Sequence, residues 1–179
     1  MLRSVSLPDN LTLGKLYLCS MPGRFEPLEV FLQEIAGAEI GHVMCLVSDE
    51  EIARKSPDYL AAIQLDQLAA KLWRLEIPDY GMPENVGELR QMLDLIRDRL
   101  DDGESVVIHC AAGHGRTGMV STLLLVRMGM SLDQAVETIS LAGSAPDTKE
   151  QRQFLQAQAA PEAPLPNSPP RIPSSPQRP

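Results

Sequence analysis

The sequence predicts a single α/β domain, with a central, mainly parallel mixed sheet flanked by helices. Short apolar runs of strand length alternate with segments of helical periodicity, which is the pattern of β–α–β units. A glycine-punctuated segment follows one of these runs and precedes an apolar helix, at the strand end where such folds bind ligands. The chain has 179 residues, of which 44% are hydrophobic and 22% charged, enough for one sizeable core.

Four apolar runs are predicted to be strands, and the later ones are almost continuously apolar, as in central strands covered on both faces. The predicted strands are Leu16–Leu18, His42–Val47, Leu72–Ile77 and Val106–Cys110. Helices are predicted where apolar residues recur every three or four positions, over 86–100, and where nearly every residue is apolar, over 119–128. The predicted capping and terminating residues are Ser56 before Pro57, Asn85, Gly103, Ser131 with Gln134, and Thr148 with Gln151.

The composition argues against several classes of function. A net charge of −8 is unfavourable for binding nucleic acid and for docking on anionic lipid by bulk charge. No apolar run approaches the roughly 20 residues that cross a bilayer, and the N-terminus lacks the apolar core of a secretion signal. We therefore expect a cytoplasmic protein with no membrane and no nucleic-acid partner.

The cysteines indicate neither a disulfide framework nor a metal site. Cys19, Cys45 and Cys110 are an odd number without a close pair. His42 and Cys45 are close enough in sequence to share a zinc ion, but two ligands are too few for a zinc site. We expect no metal and no cofactor.

Residues 161–179 differ in composition from the rest of the chain. Eight of the fifteen prolines lie here, among Ser, Asn and Gln, with almost no apolar residue. Such a stretch cannot bury enough surface to fold, so we predict one domain over 1–160 and a disordered Pro-rich tail over 161–179. Pro170–Pro173 offers a polyproline shape to an SH3-like groove, although a solvated tail is the simpler explanation.

The segment His109–Gly118 carries the strongest functional signal. Its glycines let the backbone curl so that successive N–H groups point inward, and such a nest at a helix N-terminus binds an oxyanion. Cys110 would lie at the bottom of this nest as a thiolate, favoured by the amides, the helix dipole and Arg116. Arg116, separated from Cys110 by five residues, offers a planar fork that matches two phosphoryl oxygens. The pattern therefore predicts phosphate ester chemistry.

Two loops resemble those of the cysteine-dependent protein tyrosine phosphatases, above all the compact dual-specificity branch. His109–Gly118 resembles the signature loop, and Ile77–Pro83, about thirty residues upstream, resembles the mobile general-acid loop. Weaker flanking similarity extends over roughly residues 11–157 and is similar to the cyclin-dependent kinase inhibitor-associated phosphatases. The segments that carry it are Leu16–Phe25, Val43–Ile52 and the stretch from Thr148.

The resemblance implies a division of roles at the site. Cys110 would be the nucleophile that forms a phosphocysteine intermediate, and Arg116 would clamp the phosphoryl oxygens. Asp79 would be the general acid, although Pro-Asp-x-Gly is also a common turn signal. The phosphate would bind the loop between nucleophile and clamp, which comprises Ala111, Ala112, Gly113, His114 and Gly115.

Neighbouring residues have supporting roles by resemblance. Thr117 would help the thiolate leave the phosphoenzyme, unless its hydroxyl bonds the local backbone. His109 would brace the loop through hydrogen bonds rather than act as a base, and His114 would lie at the mouth of the loop, near the substrate. Glu51 would hold Arg116 from behind, with a solvated acidic turn as the alternative.

Three further positions carry two interpretations or depart from the family pattern. The water-positioning loop of the family carries an earlier and a later glutamine. Gln151 matches the later one, but a capping box with Thr148 also explains it. The earlier glutamine of the larger tyrosine-specific enzymes is replaced by Asp147, for which capping of the last helix is the alternative. Cys45 resembles the second cysteine that captures an oxidised nucleophile as a disulfide in some relatives; alternatively it is a small buried hydrophobe.

The predicted function is hydrolysis of a phosphomonoester, on a phosphorylated protein or a small molecule, by a two-step cysteine mechanism. The chain has no room for the long tyrosine-recognition insert of larger relatives, so the resemblance implies a shallow pocket that accepts phosphoserine, phosphothreonine and phosphotyrosine. Inositol phosphates, phosphoinositides and RNA 5′-phosphates are alternative substrates, since the same loop serves them in other relatives. A non-catalytic phosphate-binding module would have lost Cys110 or Asp79, and both are present.

Overall fold

The computed structural model describes residues 1–8 and 13–159. In this part of the chain a five-stranded sheet is accompanied by seven helices. The strands are β1 (Arg3–Val5), β2 (Leu16–Cys19), β3 (Ile40–Cys45), β4 (Lys71–Arg74) and β5 (Ser105–His109). The helices are α1 (Leu28–Gly37), α2 (Asp49–Lys55), α3 (Pro57–Gln64), α4 (Val86–Asp101), α5 (Gly115–Arg127), α6 (Leu132–Leu141) and α7 (Lys149–Ala159).

Strand β5 lies at the centre of the sheet, which has the strand order β1-β2-β5-β3-β4. β5 pairs in parallel with β2 and β3, β3 pairs in parallel with β4, and among the described strands β1 alone is antiparallel. The register places Cys19 and Cys45 opposite His109, one on each side. The predicted mainly parallel mixed sheet is confirmed, and its carboxyl edge leads directly into Cys110.

Helix α5 is buried along almost its whole length, as its apolar sequence predicts. All residues from Gly115 to Leu125 are buried, and the helix packs against α4, α6 and α7. The amphipathic helix α4 contacts both α5 and β5. The loop that joins β5 to α5 is therefore anchored in the core at both ends, which makes it a rigid platform for a site.

The backbone after β4 continues to pair although the strand formally ends at Arg74. The Leu75 N–H donates to the Cys45 carbonyl at 3.1 Å, and the Ile77 N–H donates to the Leu46 carbonyl at 3.2 Å. These bonds account for most of the longer strand that the sequence predicts over Leu72–Ile77. They also carry the chain across the carboxyl edge of the sheet, so the segment that contains Asp79 begins beside the loop that contains Cys110.

Three elements, β1, α1 and α2, are missing from the set predicted from the sequence. β1 has only three residues, too few to display a period of two. α1 follows Pro27, which makes no side-chain cap, and α2 is a seven-residue helix whose cap is Ser48. β1 and α2 are too short to show a repeated pattern, whereas α1 carries apolar residues at Leu28, Phe31, Leu32 and Ile35, a helical spacing that the predictions missed.

One predicted helix cap is wrong. α3 begins at Pro57 as expected, but Ser56 makes no side-chain cap bond; its buried hydroxyl donates instead to the Pro22 carbonyl at 2.7 Å. A carbonyl buried away from water needs a donor, and this one takes the hydroxyl that would otherwise cap the helix. The predicted caps at Asn85, at Ser131 with Gln134 and at Thr148 with Gln151 are confirmed.

The Pro-rich tail predicted over 161–179 lies outside the described residues, and so does the segment Pro170–Pro173 proposed for an SH3-like groove. The boundary between domain and tail at residue 160 stays a prediction. Within the ranges that the structure describes, no helix combines the length and the apolar character needed to span a membrane.

Candidate active site

The loop between β5 and α5 forms the floor of a small cleft. β5 ends at His109 and α5 begins at Gly115, so Cys110 lies at the strand end, where it is 3% exposed. The cleft has a volume of about 100 Å³. It is lined by Asp79, Cys110, Ala111, Ala112, Gly115 and Arg116, which the sequence singled out for the site, together with Arg24, Lys55, Tyr80 and Asp147.

Three carbonyl groups of this loop are bound from outside the cleft. The donors are the Met21 N–H to Ala111 at 3.2 Å, Arg3 Nη2 to Gly113 at 2.6 Å, and Ser144 Oγ to His114 at 3.0 Å. In a trans peptide unit the C=O and the N–H point to opposite sides. Carbonyls bound from outside therefore leave the neighbouring N–H groups directed into the cleft, which is the nest that the glycine-rich sequence predicts.

Gly113 adopts a conformation that other residues rarely take. Its φ is +73°, and a Cβ there would lie 2.4 Å from the Cys19 carbonyl oxygen. Both facts require glycine at this position. Arg3, which binds the Gly113 carbonyl and also the Gly143 carbonyl, was not found by sequence reasoning, because a single arginine in a three-residue strand belongs to no motif.

His109 braces the loop as a neutral imidazole. It is fully buried, and burial lowers the pKa of His109 to about 4. Nδ1 lies 3.2 Å from the Cys110 carbonyl, which can only accept, so Nδ1 carries the proton. Nε2 then accepts from the Tyr59 hydroxyl at 3.0 Å; burial raises the pKa of Tyr59, so this hydroxyl stays protonated. Tyr59 lies 50 residues away in sequence, and no spacing rule pairs the two.

Arg116 is buried and paired with a carboxylate on its far side. Glu51 accepts two hydrogen bonds, from Arg116 Nη1 at 2.7 Å and from Nη2 at 2.9 Å, and the Ile77 carbonyl accepts from Nη1 at 3.0 Å. The hydrogen bonds from Arg116, and secondarily from Lys55, lower the pKa of Glu51 to about 2. Glu51 is only 7% exposed, so the structure places it behind Arg116 rather than in a solvated turn.

Asp79 projects from a tight turn toward the same guanidinium. Its Oδ1 accepts from Arg116 Nη2 at 2.9 Å, its Oδ2 lies 3.6 Å from Lys55 Nζ, and half of its side chain is exposed. The Gly81 N–H closes the turn on the Pro78 carbonyl at 2.9 Å. The turn interpretation and the general-acid interpretation of Asp79 are therefore compatible, because the turn is what presents the carboxylate to the cleft.

Gln151 joins the acid loop to the start of α7. Its Oε1 accepts from the Asp147 N–H at 2.8 Å and from the Thr148 N–H at 3.4 Å, which is the capping arrangement. Its Nε2 donates to the Gly81 carbonyl of the acid loop at 3.0 Å. Capping thus accounts for one end of this fully buried side chain, and the other end is directed at the loop that carries Asp79.

Thr117 and His114 differ in their surroundings. Thr117 is fully buried, and its hydroxyl has no hydrogen-bond partner among the described residues; the local backbone bond that was the alternative is not formed. The role of Thr117 at the sulfur stays a prediction, because no contact of its hydroxyl within the described residues tests it. His114 and Ala112 are exposed at the rim of the loop, as expected for positions at the mouth.

Cys45 lies on β3 beside His109, the residue that precedes Cys110. It is buried, its Sγ lies 3.6 Å from the Val47 carbonyl, and burial raises its pKa to about 11. All three cysteines are free thiols. Cys19 occupies the equivalent position on the other side of His109, so two cysteines, rather than one, flank the strand that leads into Cys110.

We expect Glu51→Gln to destabilise the protein in a pH-dependent way. The folded-state pKa of Glu51, about 2, lies below its unfolded value of about 4.3, so the ion pair stabilises the fold above about pH 5. Its contribution is lost as the pH falls from about 5 to about 2. Urea unfolding at pH 7 should show that the free energy of unfolding of the variant is about 3 kcal/mol lower than that of wild type.

The same difference between wild type and Glu51→Gln should shrink toward zero near pH 2. Glu137→Gln, at an exposed position on α6, is the matched control and should change little at any pH. A difference for Glu51→Gln that does not depend on pH would contradict the assignment of an ionised Glu51 to Arg116.

Comparison with curated proteins finds tyrosine phosphatases. Protein 197R of Invertebrate iridescent virus 6, which is named as a tyrosine phosphatase, is 38% identical over 84 residues, 44% of this chain and 30% of that protein. Tyrosine-protein phosphatase non-receptor type 4 of Mus musculus is 28% identical over 87 residues, 48% of this chain and 9% of that protein. The chain therefore spans less than a third of either relative.

Two solved structures and one family model that match this chain are all of phosphatases. Kinase associated phosphatase, solved with its catalytic-site cysteine replaced by serine, has a TM-score of 0.76 at 21% identity, covering 89% of this chain and 96% of that one. Tk-PTP in its active form has a TM-score of 0.66 at 29% identity, covering 82% and 92%. A family model described as "Swiss Army Knife protein, DSP-PTPase phosphatase domain" matches residues 15–163. Because this match takes in most of the chain, the protein belongs to the PTP-SAK family of DSP-PTPase phosphatase domains.

Proposed function

We propose that the protein is a protein phosphatase that hydrolyses phosphotyrosine and, because its cleft is small, phosphoserine and phosphothreonine as well. The observation that carries this proposal is the meeting of Cys110, Arg116 and Asp79 in one cleft of about 100 Å³. A cleft of this size holds a phosphoryl group without enclosing a long aromatic side chain. Inositol phosphates, phosphoinositides and RNA 5′-phosphates present the same phosphoryl group and are the competing substrates.

The donors of Arg116 indicate which of its edges receives the phosphoryl group. A guanidinium has five N–H bonds. Both N–H bonds of Nη1 are taken by Glu51 and the Ile77 carbonyl, and those of Nη2 by Glu51 and Asp79. The remaining edge of the guanidinium consists of the Nε–H and of the Nη2–H that Asp79 accepts in the resting structure. We assign this edge to two phosphoryl oxygens of the substrate. An arriving substrate takes that hydrogen, and Asp79 is then released toward the leaving oxygen.

The first chemical step transfers the phosphoryl group to the enzyme. The Cys110 thiolate attacks phosphorus in line with the leaving oxygen, so that an S–P bond forms as the P–O bond breaks. Asp79 gives its proton to the leaving oxygen. The loop N–H groups and Arg116 stabilise the charge that builds on the other phosphoryl oxygens. The products are the dephosphorylated alcohol or phenol and a phosphocysteine.

The second step releases inorganic phosphate. Water attacks phosphorus, the Asp79 carboxylate accepts a proton from that water, and the S–P bond breaks to return the thiolate. The buried hydroxyl of Thr117, which has no partner in the described part of the chain, donates to the departing sulfur. Gln151 positions the acid loop through the Gly81 carbonyl, and Glu51 positions Arg116 through two hydrogen bonds.

Hydrolysis of para-nitrophenyl phosphate between pH 5 and 8, with a chelator present, tests the proposed activity. Wild type should turn the substrate over, and Cys110→Ser should lose about 10⁴-fold or more in kcat, since the nucleophile is removed. Thermal unfolding should show both proteins folded. Activity that survives in the variant, or that disappears with the chelator, would contradict the mechanism; no turnover by folded wild type would favour a binding module.

Asp79→Asn tests the general acid through the leaving group. A protonated leaving oxygen matters most when that oxygen is strongly basic, as in phosphotyrosine, and less for para-nitrophenol. We therefore expect a loss in kcat of about 10³-fold on a phosphotyrosine peptide and a clearly smaller loss on para-nitrophenyl phosphate. Glu84→Gln, an exposed carboxylate five residues further along, is the matched control. Equal losses on both substrates would exclude Asp79 as the proton donor.

We also propose that Cys45 protects Cys110 from overoxidation. Peroxide would oxidise the Cys110 thiolate to a sulfenic acid and be reduced to water; Cys45 would then attack that sulfur, forming a disulfide with loss of a second water. Because burial raises the pKa of Cys45 to about 11, little of it is thiolate at neutral pH, and capture should accelerate as the pH rises.

Peptide mapping after peroxide treatment should then find a Cys45–Cys110 disulfide in wild type and in Cys19→Ala, and none in Cys45→Ala. A sulfinic or sulfonic Cys110 without this crosslink, or a Cys19–Cys110 disulfide in its place, would overturn the assignment.

The cytoplasmic location, the lack of a nucleic-acid or membrane partner and the SH3-like docking of Pro170–Pro173 remain predictions from composition. None of them enters the proposed chemistry, which depends on the cleft alone.

A further inference from the structure

Asp147 places a carboxylate on the phosphate-binding loop itself. Its Oδ2 accepts the N–H of Gly115 at 2.9 Å, and it lines the same cleft as Cys110 and Arg116. The Gly115 N–H belongs to the nest that is proposed to hold the phosphoryl oxygens. One of those donors is therefore already occupied by an anion of the protein.

This contact is built into the fold. A Cβ on residue 115 would lie 2.1 Å from Asp147 Oδ2, so the carboxylate reaches the amide only because that residue is glycine. The Asp147 N–H is bound by Gln151 Oε1 at 2.8 Å. The same segment is joined to the loop a second time, where Ser144 Oγ donates to the His114 carbonyl at 3.0 Å. The segment that carries Asp147 is thus fixed both before it, at Ser144, and after it, at Gln151.

Three cations, Arg24, Lys55 and Arg116, line the cleft together with Asp147, but none of them forms an ion pair with its carboxylate. Arg116 is engaged by Glu51 and Asp79, and within the described ranges no lysine, arginine or histidine forms an ion pair with Asp147, although other carboxylates at the cleft do pair. A second anion placed in the nest would meet an unpaired like charge at close range, which disfavours binding.

We propose that Asp147 is a resident competitor of the phosphoryl group. Its carboxylate occupies the Gly115 N–H in the resting protein, is displaced when a phosphoryl group enters the nest, and returns as inorganic phosphate leaves. The single N–H of Gly115 serves one anion or the other. This inference rests on the proposed phosphate site, and its consequence is weaker binding and faster release of inorganic phosphate.

The test is binding of inorganic phosphate to the whole chain, measured by calorimetry at fixed pH and ionic strength. Asp147→Asn keeps an oxygen that can accept the Gly115 N–H but removes the charge, and should bind phosphate about tenfold more tightly. Asp147→Ala removes the charge and frees the amide, and should also bind more tightly than wild type. Asp66→Asn is the matched control, since Asp66 is exposed and asparagine tolerates its φ of +52°.

The sign of the change decides the outcome. If Asp147 only braced the loop, its removal would loosen the nest and weaken phosphate binding; weaker or unchanged binding in both folded variants would overturn the proposal. The measurement needs no turnover, so it is independent of the activity test. If the Asp147 variants bind phosphate more tightly but wild type hydrolyses no phosphate ester, the role of Asp147 as a competitor is supported and the proposed function is refuted.

Discussion

The buried ion pair between Arg116 and Glu51 is the constraint on which the site depends. A guanidinium that is 3% exposed has to be compensated inside the protein, and Glu51 does so with two short hydrogen bonds. The pair joins the first turn of α5 to α2 and, through the Ile77 carbonyl, to the segment that leads to Asp79. Three stretches of chain distant in sequence are thereby brought to one cleft.

The loop around Cys110 offers backbone N–H donors to the cleft in addition to the cations Arg24, Lys55 and Arg116 that line it. Its carbonyls are bound from outside by Arg3, Met21 and Ser144, so its amides face the cleft. His109 adds rigidity but no charge, because its burial keeps it neutral. Preorganised dipoles of this kind need no rearrangement when charge develops on a substrate. They let a chain with a net charge of −8 offer an anion site.

Three carboxylates contact the groups that form this site. Glu51 orients Arg116 from behind, Asp79 holds the guanidinium edge that a phosphoryl group would need, and Asp147 holds an amide of the nest. In the proposed mechanism, the substrate displaces two of the three, Asp79 and Asp147. Gln151 connects the two segments that carry these carboxylates, since it bonds both the Asp147 N–H and the Gly81 carbonyl.

The sequence by itself determined the fold class, the central strand and the loop from His109 to Gly118, because hydrophobic period, glycine spacing and helix caps are local signals. It also identified Cys110, Arg116 and Asp79 as candidates. Only the tertiary structure decided the partners: Arg3 on the Gly113 carbonyl, Tyr59 on His109, Asp147 on the Gly115 amide and Pro22 on Ser56. These contacts join residues 30 or more positions apart, and a burial-driven hydrogen bond between distant residues leaves no periodic trace in a single sequence.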